Sequence, residues 1–252
     1  MLPTIVGVCR YEFRMQARRP AVWLLIGIIG VLLVALFDFQ AQGGEPRPAI
    51  VRLADQMQNL NFFLPIAFGI LLADRLPRER RLHTEELLQS LPSGSGVRLW
   101  GKYAGAVLAT TVPIVLVVIA GLLITVLRLN AASQLPALPP LFLAIMLPGL
   151  LFVGVFAIAC TTFLPAALFS VLFVGYWFWG NLVPPGIMPT LSCTPLTPLG
   201  GYAAAAFFND GPVCGMQITA AQGWESIGLL LGTALLALVA ANLWLQRHQR
   251  AG

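Results

Sequence analysis

The sequence is poor in charge. Only 10% of its 252 residues are Asp, Glu, Lys or Arg, where soluble domains carry about a quarter. Lysine occurs once, at Lys102, and histidine twice, at His83 and His248. The arginine excess reads as genome composition and carries no functional weight. Cysteine is limited to Cys9, Cys160, Cys193 and Cys214, in no metal-ligand spacing and remote from either histidine, so no metal site is expected. The middles of the apolar runs hold no Asp, Glu, Lys, Arg or His. Such residues mark proton relays and ion paths, so a proton-coupled carrier or ion-selective channel loses support. Thr110, Thr111, Thr161 and Thr162 have no partner base in the pattern, and neither do Asn181 and Asn242. A membrane-embedded hydrolase is disfavoured. Internal repeats and low-complexity tracts are absent.

Hydrophobic length is what the chain has in excess, with 58% hydrophobic residues and a mean hydropathy of +0.83. About 20 apolar residues cross a bilayer as a helix. Runs of that order fall at 21–37, 57–73, 103–127, 141–164, 166–183 and 227–245. The second is the weakest, because Gln58, Asn59 and Asn61 stand at its start; the fourth and fifth are parted only by Leu164-Pro165 and predict a tight helical hairpin. The expected fold is an all-α membrane protein, one domain over 1–252 with six transmembrane helices. Arg10, Arg14, Arg18 and Arg19 precede the first run, but the charged region is too long for a signal peptide and no small-x-small site follows. Pro65, Pro113 and Pro148 lie inside spans and predict kinks. Gly228, Gly232, Ala237 and Ala241 give the last span a small-residue face for close helix approach. The Tyr176-Trp177-Phe178-Trp179 cluster reads as an interfacial aromatic belt, with a gate as the sharper alternative.

The few charges are placed unevenly. With the N-terminus inside, 12 of the 15 Lys/Arg residues face the cytoplasm, leaving Arg47, Arg52 and Arg128 outside. This is the positive-inside pattern, and it accounts for the net charge of +5 without a nucleic-acid partner. Both termini are then cytoplasmic, and 38–56, 128–140 and 184–226 lie outside. Residues 3–19 form an amphipathic helix, with Arg10, Arg14 and Arg18 on one stripe and Ile5, Cys9 and Phe13 on its neighbour. That pattern predicts an interfacial helix, with cations at the lipid headgroups and apolar groups on the acyl chains. The 184–226 segment has no Lys or Arg and is too apolar for a free loop. It is expected to fold back into the outer leaflet as a re-entrant loop. Cys193 and Cys214 share it. They are expected to pair in an oxidising compartment, the competing reading being two unbridged small hydrophobes.

One polar island interrupts the apolar chain at 74–102, holding six of the 15 Lys/Arg and four of the 10 Asp/Glu residues. Within it, Gly96-Val-Arg-Leu-Trp-Gly101-Lys102 mimics a P-loop, but Tyr103 stands where a magnesium-binding Ser or Thr belongs. No strand precedes it, and a span follows. This chain does not hold ATP by that route. Thr84 can cap a short helix whose first turn carries Glu85 and Glu86, at the positive end of its dipole. Leu87, Leu88 and Leu91 form its apolar face, and Pro92 ends it. A two-turn helix over 84–91 at the cytoplasmic surface is a docking surface for a soluble partner.

The order D-R-x-x-R-E-R-R-x-x-T-E-E-L-L-x-x-x-P from Asp74 to Pro92, then Gly101-Lys102 and a long span, resembles permeases of the type-2 exporter family of ATP-binding-cassette transporters. The six spans, the N-terminal arginine run, the hairpin and the long outer loop resemble that family too. His83 departs from it, where Gly usually precedes Thr. The resemblance implies a coupling helix at 84–91 between spans two and three, on which a separate cytoplasmic ATPase docks together with the N-terminal helix. It implies pairing with a second permease copy or homologue in a bacterial inner membrane. Cofactors are none in this chain, with ATP and magnesium on the partner. Substrate would pass outward along the second and fifth spans, where Phe62, Phe63, Phe173 and Trp177 are the candidate lining. The permease itself makes and breaks no bonds. The rival reading is a non-transport assembly or anchoring subunit, which would not need the docking helix.

Overall fold

Proline punctuates the helices. Pro20 opens one as its first residue, and Pro48 and Pro165 cap two others with extended dihedrals (φ −51°, ψ 143° and φ −59°, ψ 139°). A fixed φ and a missing donor suit a helix entry, where the first N–H groups have no partner. The structure is a computed structural model describing residues 2–41, 47–74, 95–188, 190–209 and 211–251. Its helices are α1 Leu2–Ala17, α2 Pro20–Ala41, α3 Ala49–Ala73, α4 Ser95–Arg128, α5 Ala132–Cys160, α6 Ala166–Leu182, α7 Gly201–Phe207 and α8 Ala220–Ala251. No strand occurs among the described residues, and Val213 and Met216 form an isolated bridge.

Four of these helices, α3, α4, α5 and α8, are long and apolar enough to cross a bilayer; α1 and α2, bent by 65°, make a fifth if taken as one broken span. The remaining apolar helix, α6, has 17 residues, about 25 Å at 1.5 Å per residue. That is just short of the ~30 Å hydrocarbon thickness. The chain is thus an all-helical membrane protein with four to five candidate spans by length and composition. The coupling helix expected at 84–91 lies outside the described residues, as does the rest of 75–94.

Several boundaries differ from the sequence reading. The second span begins at Ala49 rather than 57, because Arg52, Asp55 and Gln56 continue the helix before its apolar part. The connection expected at 128–140 shrinks to 129–131. Pro136, Pro139 and Pro140 are accommodated in tight first turns at the head of α5, first a 3₁₀ stretch over Ala132–Ala137 and then Leu138–Leu141. Pro148 does not kink an unbroken helix. A π turn over Phe142–Met146 absorbs the disruption, and Pro148 stands in the first turn of the segment Leu147–Cys160. The hairpin turn after α5 runs through Thr161–Leu164, where the Thr161 and Thr162 hydroxyls donate to the Ala157 and Ala159 carbonyls at 2.9 and 2.7 Å.

The core forms where α3 is surrounded. Leu53, Met57, Leu60, Leu64, Phe68 and Leu72 make its inward stripe, all fully buried, against α2, α4, α5 and α6. Burying a large aliphatic or aromatic side chain contributes about 1.5–3 kcal/mol in water. In lipid the gain comes instead from close packing and interhelical hydrogen bonds. Half of the small-residue face of α8 packs within the bundle, with Ala241 buried and Ala237 against the core. A Cβ added at Gly228 or Gly232 meets nothing within 4 Å, while Ser226, Leu230, Ala234, Leu238 and Ala241 are the buried side chains.

Candidate functional site

At one end of the bundle α1 lies along the first turns of α4. A Cβ on Gly101 would stand 2.8 Å from the Cβ of Val8, and one on Gly105 2.6 Å from that of Glu12 and 2.5 Å from the Cys9 carbonyl oxygen. The two glycines therefore let the backbones touch. One turn further on, Gln16 Nε2 donates to Thr110 Oγ1 at 3.1 Å, and Thr110 Oγ1 donates to the Ala106 carbonyl at 2.9 Å. Gln16 and Thr110 are buried, as is Glu12. The inner face of α1 is thus covered by protein rather than by acyl chains, and it carries polar groups. Arg10, Arg14 and Arg18 are exposed on its outer side, and Phe13 is half-buried. Tyr103, next to Lys102, extends the assembly by donating to the Leu151 carbonyl of α5 at 3.1 Å. Asp74 at the end of α3 and Ser95 at the start of α4 bound the segment 75–94.

At the opposite end a cap built from 183–226 is threaded into the bundle. Asn61, fully buried on α3, donates from Nδ2 to the Ile145 and Pro198 carbonyls, each at 3.1 Å. Ile145 lies in the π turn of α5, and Pro198 in the cap. Space there is exhausted. A Cβ on Gly149 would overlap the Pro198 carbonyl, and one on Gly200 the Ile145 carbonyl. Gly200 also sits at φ +71°, a conformation that side chains other than Gly rarely take. Around this junction Ser226 donates to the Pro195 carbonyl at 2.6 Å, Thr197 to Asn181 Oδ1 at 3.1 Å, and Asn209 to Asp55 Oδ1 at 3.3 Å. Cys193 and Cys214 are joined as a disulfide with Cα atoms 5.8 Å apart. Tyr202 donates to the Cys193 carbonyl at 2.8 Å. Burial first, and the Glu225 carboxylate second, push the phenol's pKa up and keep it a neutral donor.

The two ends belong to one apolar scaffold whose described residues offer no His/Cys/Asp/Glu cluster for a metal. A family model, ABC-2 family transporter protein, matches residues 9–182, from α1 through α6. The chain belongs to the ABC-2 transporter family. It is a membrane component of an ATP-binding-cassette transporter, a transport subunit rather than itself a catalyst. Comparison with curated proteins returned no match.

Of the residues expected along the permease's substrate path, Phe173 and Trp177 are buried, and Phe62 and Phe63 half-buried. Trp177 Nε1 donates to the Phe62 carbonyl at 2.8 Å, and Phe173 stacks on Phe169 with centroids 5.4 Å apart. These rings fill the seam between α3 and α6. Tyr176, Phe178 and Trp179 of the same aromatic cluster point outward. Asn61 was missed as a site residue, although a polar residue on the stripe of Leu53, Met57, Leu60 and Leu64 is the pattern of an interior hydrogen-bond donor. Thr84, Glu85, Glu86, Leu87, Leu88 and Leu91, the docking residues, all lie outside the described residues.

Proposed function

We propose that this permease is the membrane-spanning half of an ATP-driven exporter, paired with a second permease and driven by separate cytoplasmic ATPase subunits. The observation that carries the reading is the welding of α1 to the start of α4 through Gly101, Gly105 and the Gln16–Thr110 hydrogen bond. The helix expected at 84–91 ends just before α4. Force applied to it by an ATPase would enter α4 and α1 together and pass to α5 through Tyr103. A membrane anchor would gain nothing from that linkage. In this reading α2, α3, α4, α5, α6 and α8 make six crossings, with both termini cytoplasmic. Substrate leaves past α3 and α6 when the outer cap moves. Co-expression with candidate cassette ATPases tests it: a stable complex is expected, and a permease that never retains an ATPase contradicts it.

Topology gives a further expected outcome. A cysteine introduced at Gly43 should react with an impermeant thiol reagent in intact cells, while one at Ser95 should not. The reverse pattern would put 84–91 on the wrong side for an ATPase.

The Cys193–Cys214 bridge has its own consequence. Closing a loop of 21 residues contributes roughly 3 kcal/mol by constraining the unfolded segment. Denatured permease should show two free thiols, Cys9 and Cys160, rising to four on reduction. Equal counts with and without reductant would exclude the bridge.

A further inference from the structure

The outer face of α1 has no protein against it among the described residues, and its chemistry is one-sided. Every exposed charged side chain there is an arginine: Arg10, Arg14 and, in the bend, Arg18. The helix's acidic residue, Glu12, is turned inward onto α4. Exposed apolar groups, Val6 and Tyr11, stand beside the ladder. The 65° bend then leads into α2, whose exposed side chains among the described residues are apolar, Trp23, Leu24, Leu25, Ile28, Val31 and Leu32 among them. Trp23 Nε1 donates to the Ala17 carbonyl at 2.8 Å and pins the bend. A cationic ladder thus runs, at a fixed angle, into an apolar stripe about 15 Å long by helical rise.

We propose that this corner is a binding site for an anionic phospholipid, with its phosphodiester on Arg14 and Arg18 and its acyl chains along the exposed stripe of α2. Guanidinium groups pair with phosphate oxygens through two parallel N–H donors. A stripe of leucine and isoleucine supplies the contact a free phosphate cannot use. The acidic surface of a protein would match the ladder but not the stripe, and this favours lipid. The placement in the inner leaflet rests on the topology proposed above. The binding does not rest on transport, so it is tested on the permease alone.

The test is native mass spectrometry of the detergent-purified full-length permease, offered equimolar phosphatidylglycerol and phosphatidylcholine with identical chains. Selective retention of phosphatidylglycerol is expected. A charge-assisted hydrogen bond contributes about tenfold or more, so Arg10→Gln, Arg14→Gln and Arg18→Gln combined should lower the preference by roughly tenfold or more. The three corresponding Arg→Lys changes keep the charge but not the paired donors, so they should keep part of it, separating lost charge from lost fold. Soluble glycerol phosphate should not displace the lipid. Unchanged preference in the Gln variant or displacement by glycerol phosphate would each overturn the proposal.

Discussion

Asn61→Leu should cost the purified permease about 2–4 kcal/mol of stability, read as a lowered midpoint in thermal denaturation. Leucine has the branched four-atom shape of asparagine but a larger volume, and in a site with no spare space its two methyl groups add a packing cost. What is lost is the donor serving the Ile145 and Pro198 carbonyls. A buried acceptor stripped of its partner costs ~1–3 kcal/mol, and the site is fully buried, so water has no ready access. Interhelical hydrogen bonds in membranes average nearer ~0.6 kcal/mol, because partners are often found elsewhere. Asn61 should exceed that average because three segments meet on one amide: α3, the π turn of α5 and the cap. Gln56→Leu supplies the contrast. Gln56 donates to the Gly121 carbonyl at 3.3 Å and accepts from Thr125 at 2.6 Å, but both partners are on α4, so it joins two helices rather than three segments. Its loss should cost about 1 kcal/mol. Equal midpoints for wild type and Asn61→Leu would show that the cap is not fastened through this amide.

Much of the scaffold was legible from hydropathy, and the errors have common causes. Apolar runs mark where lipid is, whereas helices continue past the lipid. Thus α3 begins at Ala49 and α4 at Ser95, on residues whose polarity suggested loops. Pro148 read as a kink and 128–140 as a connection, yet in the first turns of helices a missing N–H costs nothing, and the π turn takes up the rest. The amphipathic pattern of α1 was legible, but its partner was not. Periodicity put the arginines on one stripe, and they are exposed, yet it could not foresee that Glu12 and Gln16 would face α4. That requires pairing them with Gly101, Gly105 and Thr110, about ninety residues away. The same long-range pairing hides the Asn61 junction, since Pro198 is 137 residues distant.

The central claim is that energy enters through 84–91. In the proposed complex, Leu88 and Leu91 occupy a cleft on the ATPase, and Glu85 and Glu86 orient the helix against basic groups there. Desolvated apolar anchors commonly cost more than ~1–2 kcal/mol when truncated, while rim charges act mainly on association rate and salt response. An aspartate at Leu88 adds the desolvation of a charge, so its effect should be the largest of any single change in the helix. Glu86→Lys should weaken association less and make it more salt-dependent. Neither change touches a residue within the described bundle. The permease should therefore still insert and, in the proposed arrangement, still pair. The most direct measurement is retention of the ATPase on affinity-purified Leu88→Asp permease, with permease recovery as the internal control. Permease recovered at wild-type yield without its ATPase is the predicted result; an undiminished ATPase complex would contradict the account.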